Sequence, residues 1–385
     1  MEARGHGLAL LTFLTGPTYL KIKAIRAVTS IGNCNCMRLF LSKLTLLVIV
    51  MSLAGLPNAY SIELPTDNWN LNIFSYVNGH LAHSGNYEPD DYLELGESSI
   101  FVFGRLSNRL SILTEVSLLP KKYREDTVKV ERLTLRWDLN EKHRLTLGKM
   151  HTPVNYWNDS FHHGRYFFPT IDRPLAFQKF VPVHEIGLRF SGSRLGKYNF
   201  FYDVVIGSGQ SAGDHAFSHG LKSTTLAIGI RPTENLEIRS SLYQDEIINH
   251  QNDPKHGFGD QTNGSEDLDW QLWSGSVYFE NDKIQLLTEL SASKNKGGNL
   301  NYTSYIFAGW KWLPRLMPFV FVDFERVDPK ETHFSPGIQR RYGAGIKTAV
   351  SNRTDLKVDL STHDLSGDES KPSYTALRFQ FSVGF

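Results

Sequence analysis

YTALRFQFSVGF, residues 374–385, is the most informative stretch of this chain for its fold class. Apolar side chains occupy every second position of this stretch: Leu377, Phe379, Phe381, Val383 and Phe385. Polar or small residues lie between them. A period of two places alternate side chains on opposite faces of a β-strand. The stretch therefore predicts a strand with one apolar and one polar face, ending in an aromatic residue.

The same pattern fits two environments. In a soluble β-sandwich the apolar face points to a protein core, whereas in a membrane barrel it points to lipid and the polar face to the lumen. The remainder of the chain has to distinguish them.

The N-terminal region predicts export. From Met37 the chain reads MRLFLSKLTLLVIVMSLAGLPNAYS, with a short basic head, an apolar run over 44–53 and small residues around Ala59 to Ser61. This is the layout of a cleaved secretory signal peptide, and its apolar run is too short for a spanning helix. We expect residues 1–36 to be an over-extended start, 37–61 the signal peptide and 62–385 the mature protein. An uncleaved anchor with a cytoplasmic tail is the alternative.

Composition agrees with this division. Both cysteines, Cys34 and Cys36, precede the expected cleavage site, so the mature part carries no disulfide framework. Residues 1–61 hold six of the 41 Lys and Arg and one of the 40 Asp and Glu, which leaves 35 against 39, a net charge of −4. No Lys/Arg block suggests nucleic acid binding. The mature part also has no long apolar run, which excludes a helical membrane protein but not a barrel.

Turn signals divide the mature part into strands. Short turns rich in Asn, Asp, Gly, Pro and Ser are predicted at 107–109, 139–142, 193–196, 232–235, 281–282, 313–315 and 351–354. Longer polar stretches alternate with them at 83–94, 120–126, 151–183, 210–221, 248–268, 295–301, 328–340 and 365–372. Seven short and eight long connections predict about sixteen strands, the first near Trp69. The fold class is all-β, a transmembrane antiparallel up-and-down barrel.

Charged residues recur at every second place of these strands, which suits a water-filled lumen. The basic residues predicted to face inward are Arg132, Arg136, Arg144, Arg189, Lys347, Lys357 and Arg378. The acidic ones are Glu185, Asp323, Glu325, Asp355 and Asp359.

The connection at 151–183, here called the long segment, is more aromatic than a solvated loop. Its aromatic residues are Tyr156, Trp157, Phe161, Tyr166, Phe167, Phe168, Phe177 and Phe180. Such side chains are costly to leave in water, so we expect the segment to pack against the barrel interior.

These features resemble the trimeric sixteen-stranded porins of the bacterial outer membrane. The likeness rests on the terminal Phe385, the strand count, the mature length and a long third outer loop after strand five. It implies an inward-folded loop, passive diffusion of small hydrophilic solutes, a homotrimer in a bilayer with lipopolysaccharide, and handling by the barrel assembly machinery. The acidic Pro-Glu-Phe-Gly-Gly motif of the general enterobacterial porin loop is not found, so the porin subfamily stays open.

The charges of the long segment predict a pore constriction. Asp159 and Asp172 accompany Arg165, Arg173 and Lys179, opposite Glu185 and the basic residues of strands four to six: Arg132, Arg136, Arg144 and Arg189. Arg and Lys in a pore favour anions, which is the selectivity we expect. The alternative is that these charges pair with one another and only keep the lumen wet.

Two other functional classes and a metal site have some support in the sequence. A barrel hydrolase needs a nucleophile held by a base, as Ser160 with His162 or Ser361 with His363 would offer. An adhesin or structural barrel with a blocked lumen is the third class. His162 and His163 suggest a metal, with Asp159 and His184 as further ligands, but adjacent residues on an extended chain point apart. We expect neither an enzyme nor a cofactor or metal.

Overall fold

The protein is described from a computed structural model. It describes residues 68–85, 92–119, 128–162, 166, 168–210, 221–247, 268–295, 299–331, 334, 336–364 and 373–385. These lie in one compact unit, residues 59–385. The predicted signal peptide and its upstream stretch lie outside the described residues.

The described parts of the chain form sixteen β-strands. They are β1 Trp69–Gly85, β2 Tyr92–Arg105, β3 Leu110–Leu118, β4 Val128–Asp138, β5 His143–His151, β6 His184–Leu195, β7 Phe200–Gly207, β8 Ser223–Thr233, β9 Leu236–Ile247, β10 Leu268–Glu280, β11 Ile284–Asn295, β12 Leu300–Trp310, β13 Leu316–Val327, β14 Gly337–Ser351, β15 Thr354–Asp364 and β16 Tyr374–Gly384. Each strand pairs antiparallel with its sequence neighbours, and the sheet closes into a barrel. The predicted fold class and strand number are confirmed.

Closure pairs the first and last strands of the described chain. β1 pairs with β16 from Phe74 opposite Gly384 to Gly85 opposite Tyr374. The terminal residue extends the ladder, because Phe385 N donates to Ile73 O at 2.8 Å and Ile73 N donates to Phe385 O at 3.3 Å. A closed ladder satisfies the backbone donors and acceptors that an open edge would leave bare in a bilayer.

The seven predicted short turns all separate consecutive strands, but three of them overlap strand residues, and the turn predicted at 351–354 is limited to residues 352 and 353. β6 continues through residues 193–195, and the chain reverses only between Gly196 (φ 66°) and Asn199 (φ 49°). Gly and Asn tolerate this left-handed conformation better than other residues do. Likewise Pro232 and Thr233 belong to β8, and its turn is confined to Glu234 and Asn235.

Burial on the strands is opposite to that of a soluble protein. On β15, Lys357 and Asp359 are at most 1% exposed, whereas Val358 and Leu360 are 37% and 53% exposed. Exposed and buried positions alternate in the same way along β11, β12 and β13, where most outward residues are Leu, Ile, Val or aromatic and the inward residues are a mixture of polar and apolar ones. An apolar outer surface around an interior that carries charged residues is the arrangement of a barrel in lipid.

The long segment, predicted at 151–183, lies between β5 and β6 at residues 152–183, because His151 is the last residue of β5, and it carries two short helices. These are α1, Tyr156–Phe161, and α2, Ala176–Lys179. At six and four residues they are too short for a helical period to show in the sequence, which explains why none was predicted. Among the described residues, no helix is both long and apolar enough to cross a membrane.

We predict that deletion of Phe385 strongly lowers the yield of folded barrel, because it removes both backbone bonds to Ile73 and the aromatic end of β16. Phe385→Ala keeps the backbone bonds, so it is expected to lower the yield less. The folded fraction is measured as the heat-modifiable band on a semi-native gel. Equal folded yield of the deletion and the parent would contradict this role of the terminus.

Candidate functional site

The aromatic residues of the long segment are buried against the barrel. Trp157, Phe168, Phe177 and Phe180 are at most 6% exposed and belong to one apolar core. Strands β9 to β13 supply the other side of this core: Tyr243, Ile247, Trp270, Leu272, Tyr278, Leu287, Tyr305, Phe307, Phe319, Phe321 and Val327. The segment therefore covers an apolar sector of these five strands.

Polar contacts extend from the segment to other parts of the ring. Trp157 N donates to Glu289 Oε1 on β11 at 2.9 Å, and Leu175 N donates to Asp323 Oδ2 on β13 at 2.7 Å. On the far side Tyr166 donates its hydroxyl to Ser99 Oγ on β2 at 3.1 Å. The segment therefore contacts strands on more than one side of the closed ring.

Asp159, in α1, ties the segment to the basic side of the barrel. Its carboxylate lies 3.3 Å from Arg189 Nη1 on β6 and 2.9 Å from Arg239 Nη1 on β9. Burial by itself raises the pKa of Asp159, but the two guanidinium groups outweigh it and lower the pKa to about 2. Asp159 is therefore ionised at neutral pH.

Asp172 makes the corresponding contact on the opposite side. Arg341 Nη1 on β14 donates to Asp172 Oδ2 at 2.8 Å, and Arg378 on β16 donates to the same oxygen. Burial raises the pKa of Asp172, but Arg378 and Arg341 outweigh it and hold the pKa well below its usual range. Two carboxylates of the segment thus engage two arginine pairs on different sectors of the wall.

Between α1 and strands β3 to β9 lies a cavity of about 330 Å³. Six arginines line it: Arg132, Arg136, Arg144, Arg189, Arg231 and Arg239. Asp159 and Asp203 line it as well. Charged side chains thus make up about half of the residues around this cavity.

Most of these guanidinium groups have carboxylate partners. Arg132 pairs with Glu115, Arg136 with Asp138 at 2.7 Å, Arg189 with Asp203 at 2.8 Å, and Arg231 and Arg239 with Glu237. Such pairing offsets the cost of removing a charge from water. Together with Asp159, the carboxylates that contact these six arginines number five, so the formal charge of the group is +1. Arg144, by contrast, donates Nη2 to the hydroxyl of Ser193 at 3.1 Å.

The structure brings together part of the site predicted from the sequence. Arg132, Arg136, Arg144, Arg189 and Asp159 line the one cavity. Other predicted residues lie elsewhere: Lys179 Nζ is 2.8 Å from Glu325 Oε1, Arg173 accepts a bond from Arg341 at its carbonyl oxygen, and Glu185 is buried on β6 beside Gly207. Arg165 lies outside the described residues.

Two cavity arginines were missed. Arg231 and Arg239 lie on β8 and β9, whereas the predicted basic residues of the constriction wall lie on strands four to six. Alternation along Glu237, Arg239 and Ser241 is the signal that places Arg239 on the inward face.

Serine–histidine pairs are present but differ in geometry. Ser361 Oγ lies 3.3 Å from His363 Nε2, and Ser361 is only 1% exposed. Ser160 is exposed on α1 while His162 is buried. Separately, the imidazoles of His151, His162 and His184 meet where the long segment joins the barrel.

Comparison with solved structures identifies the fold. OmpF from Salmonella typhi, in complex with daunomycin, matches with a TM-score of 0.60 at 10% identity over 83% of this chain and 98% of that one. An anion-selective porin from Comamonas acidovorans gives 0.58 at 11% identity over 82% and 100%. The fold is that of an outer-membrane porin. The outer-membrane channel DcaP of Acinetobacter baumannii is similar to the same degree, with a TM-score of 0.58 at 11% identity over 82% and 97%.

Sequence comparison does not subdivide this porin-type fold further. No protein-family model and no curated protein matches the chain.

We predict that Asp159→Asn destabilises the folded protein by about 1–3 kcal/mol at neutral pH, because two guanidinium groups lose a charged acceptor. The pKa of Asp159 is lowered on folding, so its contribution is complete above the unfolded pKa of about 3.9. It is lost as pH falls through the folded pKa of about 2.

The measurement is the thermal unfolding midpoint in detergent, for parent and variant, from pH 7 down to pH 2. The difference between them should stay constant to about pH 4 and then shrink. Asp138→Asn is the control, since that carboxylate is 38% exposed and belongs to a half-exposed pair. A difference that persists unchanged at the lowest pH would contradict the ion-pair account.

Proposed function

We propose that the protein is an outer-membrane channel of the porin type that passes small hydrophilic solutes by passive diffusion. The observation that carries this proposal is the inverted barrel: apolar side chains outside, and charged side chains and a charged cavity inside. A barrel of this kind resides in lipid and holds water in its lumen. Similarity to porins and to a channel supports the same conclusion at the level of the fold.

The long segment sets the size limit of the proposed channel. Its apolar core fills the sector of β9 to β13. Solutes then have to use the arginine-lined cavity between α1 and strands β3 to β9, which lies beside the segment. Solutes therefore pass Asp159 and the arginines on the way through.

The charges of this cavity favour anions. The paired arginines and carboxylates largely cancel, so the sign is decided by the small positive excess at Arg144. Fixed cationic side chains in a pore raise the local concentration of anions. We expect a weak anion preference rather than strict selectivity.

Two alternatives remain outcomes of the tests. In a barrel with a blocked lumen, such as an adhesin, the same segment would close the pore completely. A hydrolase would use Ser361 and His363, but that serine is buried and substrate would have to displace its packing. In a channel, Ser361 and His363 have a structural role on the inner face of β15.

The first test measures single-channel conductance of the purified protein in planar bilayers. We predict that it conducts, and that conductance rises when residues 154–181 are replaced by a short Gly-Ser linker. The replacement is feasible because Thr152 N and Val183 O are already hydrogen-bonded at 3.2 Å. The expected rise follows from removal of the packed segment.

A shortening of the β9–β10 connection, by deletion of residues 252–263, serves as the control, and heat modifiability verifies folding of every variant. A parent that is silent while the segment deletion conducts would indicate a blocked lumen. If a folded deletion conducts like the parent, the segment does not narrow the pore.

The second test concerns the sign of the charge. Arg144→Glu changes the formal excess in the cavity from one positive to one negative charge, so we predict that the reversal potential in a salt gradient moves towards cation preference. Arg340→Glu makes the same change of charge at an exposed side chain that pairs with Asp364. An equal shift in both variants would show that the cavity is not on the conduction path.

A further inference from the structure

Three histidines converge at the point where the long segment joins the barrel. His151 is the last residue of β5, His184 is the first of β6, and His162 follows α1. All three are at most 7% exposed. Their ring centroids are 4.3 to 5.1 Å apart, and one ligand atom from each lies within 4.8 Å of the others.

The backbone around these rings is fixed by several hydrogen bonds. His151 and His184 are direct cross-strand partners. Beyond them Thr152 N donates to Val183 O at 3.2 Å, and the Asn158 side chain in α1 donates to Thr152 O at 3.0 Å and to Val183 O at 3.3 Å. α1 is thereby held against the two strand ends. Preorganisation of this kind lowers the cost of binding a ligand.

The donor set defines the class of ligand. Imidazole nitrogens suit Zn²⁺, Cu²⁺ and Ni²⁺, whereas Ca²⁺ and Mg²⁺ prefer oxygen. Zn–N bonds of 2.0–2.1 Å in a tetrahedral site place ligand nitrogens roughly 3.3–3.4 Å apart. The observed limit of 4.8 Å therefore requires a contraction of roughly 1.5 Å at most, within reach of small side-chain rotations.

A carboxylate supports one of the rings. Glu131 Oε2 lies 3.1 Å from His184 Nε2 and also 3.1 Å from Lys129 Nζ. Glu131 is 5% exposed. A carboxylate beside a ligating histidine fixes the orientation of the ring and increases its basicity, an arrangement that recurs around protein-bound metals.

We propose that His151, His162 and His184 form a binding site for a divalent transition-metal ion of the Zn²⁺ class. Three protein ligands leave one coordination position for water or an anion. His151 also lines the arginine-rich cavity, which provides a route for the ion and a source of that fourth ligand. The bound ion links α1 to the ends of β5 and β6.

The proposal does not depend on conduction. The test uses untagged, detergent-solubilised full-length protein, stripped of metal with chelator and titrated with Zn²⁺ or with Co²⁺ as a spectroscopic probe. The expected result is one saturable equivalent per chain, with the visible absorption of Co²⁺ in nitrogen coordination. His162→Ala is expected to lower affinity on the order of 100-fold or more, since loss of supporting groups alone costs 10–100-fold.

His143→Ala is the matched control, because His143 lies at the other end of β5 and is expected to leave binding unchanged. His162→Gln, closer in size, tests the same point if the alanine variant folds poorly, and heat modifiability reports folding in each case. Absence of a saturable equivalent in the folded parent overturns the proposal. Equal affinity of the parent and a folded His162 variant overturns it as well, and leaves the three rings as a packing cluster.

Discussion

A strand in hydrocarbon has no water to bond its N–H and C=O groups, and this constraint shapes the whole molecule. Ring closure between β1 and β16 satisfies it, and the bonds between Ile73 and Phe385 extend the seam to the last residue. Once closed, the sheet has a lipid face and an enclosed face. Every charged residue of a strand has to find its place on the enclosed side or at a rim.

The enclosed face is divided into two sectors of different chemistry. On β9 to β13 it carries a cluster of aromatic and aliphatic side chains among polar ones, and the long segment covers this cluster, which would be unfavourable beside water. On β3 to β9 it is rich in arginine and remains a cavity. The segment lies between the sectors: Trp157 and Phe168 pack in the apolar cluster, and Asp159 lines the cavity. The same segment thus contributes to the apolar core and forms one wall of the cavity.

Much of the fold was predictable because the signal is local. Alternation of Lys357 and Asp359 with Val358 and Leu360 fixes the two faces of β15 without any knowledge of its neighbours. The positions of the turn residues then give the number of strands. The same rule of alternation predicted Arg136 and Arg144 to face inward, and both line the arginine-rich cavity.

What the sequence could not supply are partners far apart along the chain. The pair of Asp159 with Arg239 joins residues 80 positions apart, and nothing local specifies it. Glu131 shows a second limit. Strict alternation puts it on the lipid face with Leu133 and Leu135, but the β3–β4 register passes from Arg132 to Val130 and leaves Glu131 as the extra residue of a bulge. That single irregularity brings its carboxylate to His184.

The contact of Asp172 with Arg378 also has a consequence for the order of folding. It joins residues 206 positions apart, and its arginine lies in the last strand of the chain. The long segment follows β5 in the chain. Its contact with Arg378 can form only after the eleven later strands, β6 to β16, are in place. Contacts of such sequence separation form late because their loop-closure entropy has to be met first. Seating of the segment on this side therefore requires β16 to be in place, and until then the lumen lacks this part of its filling.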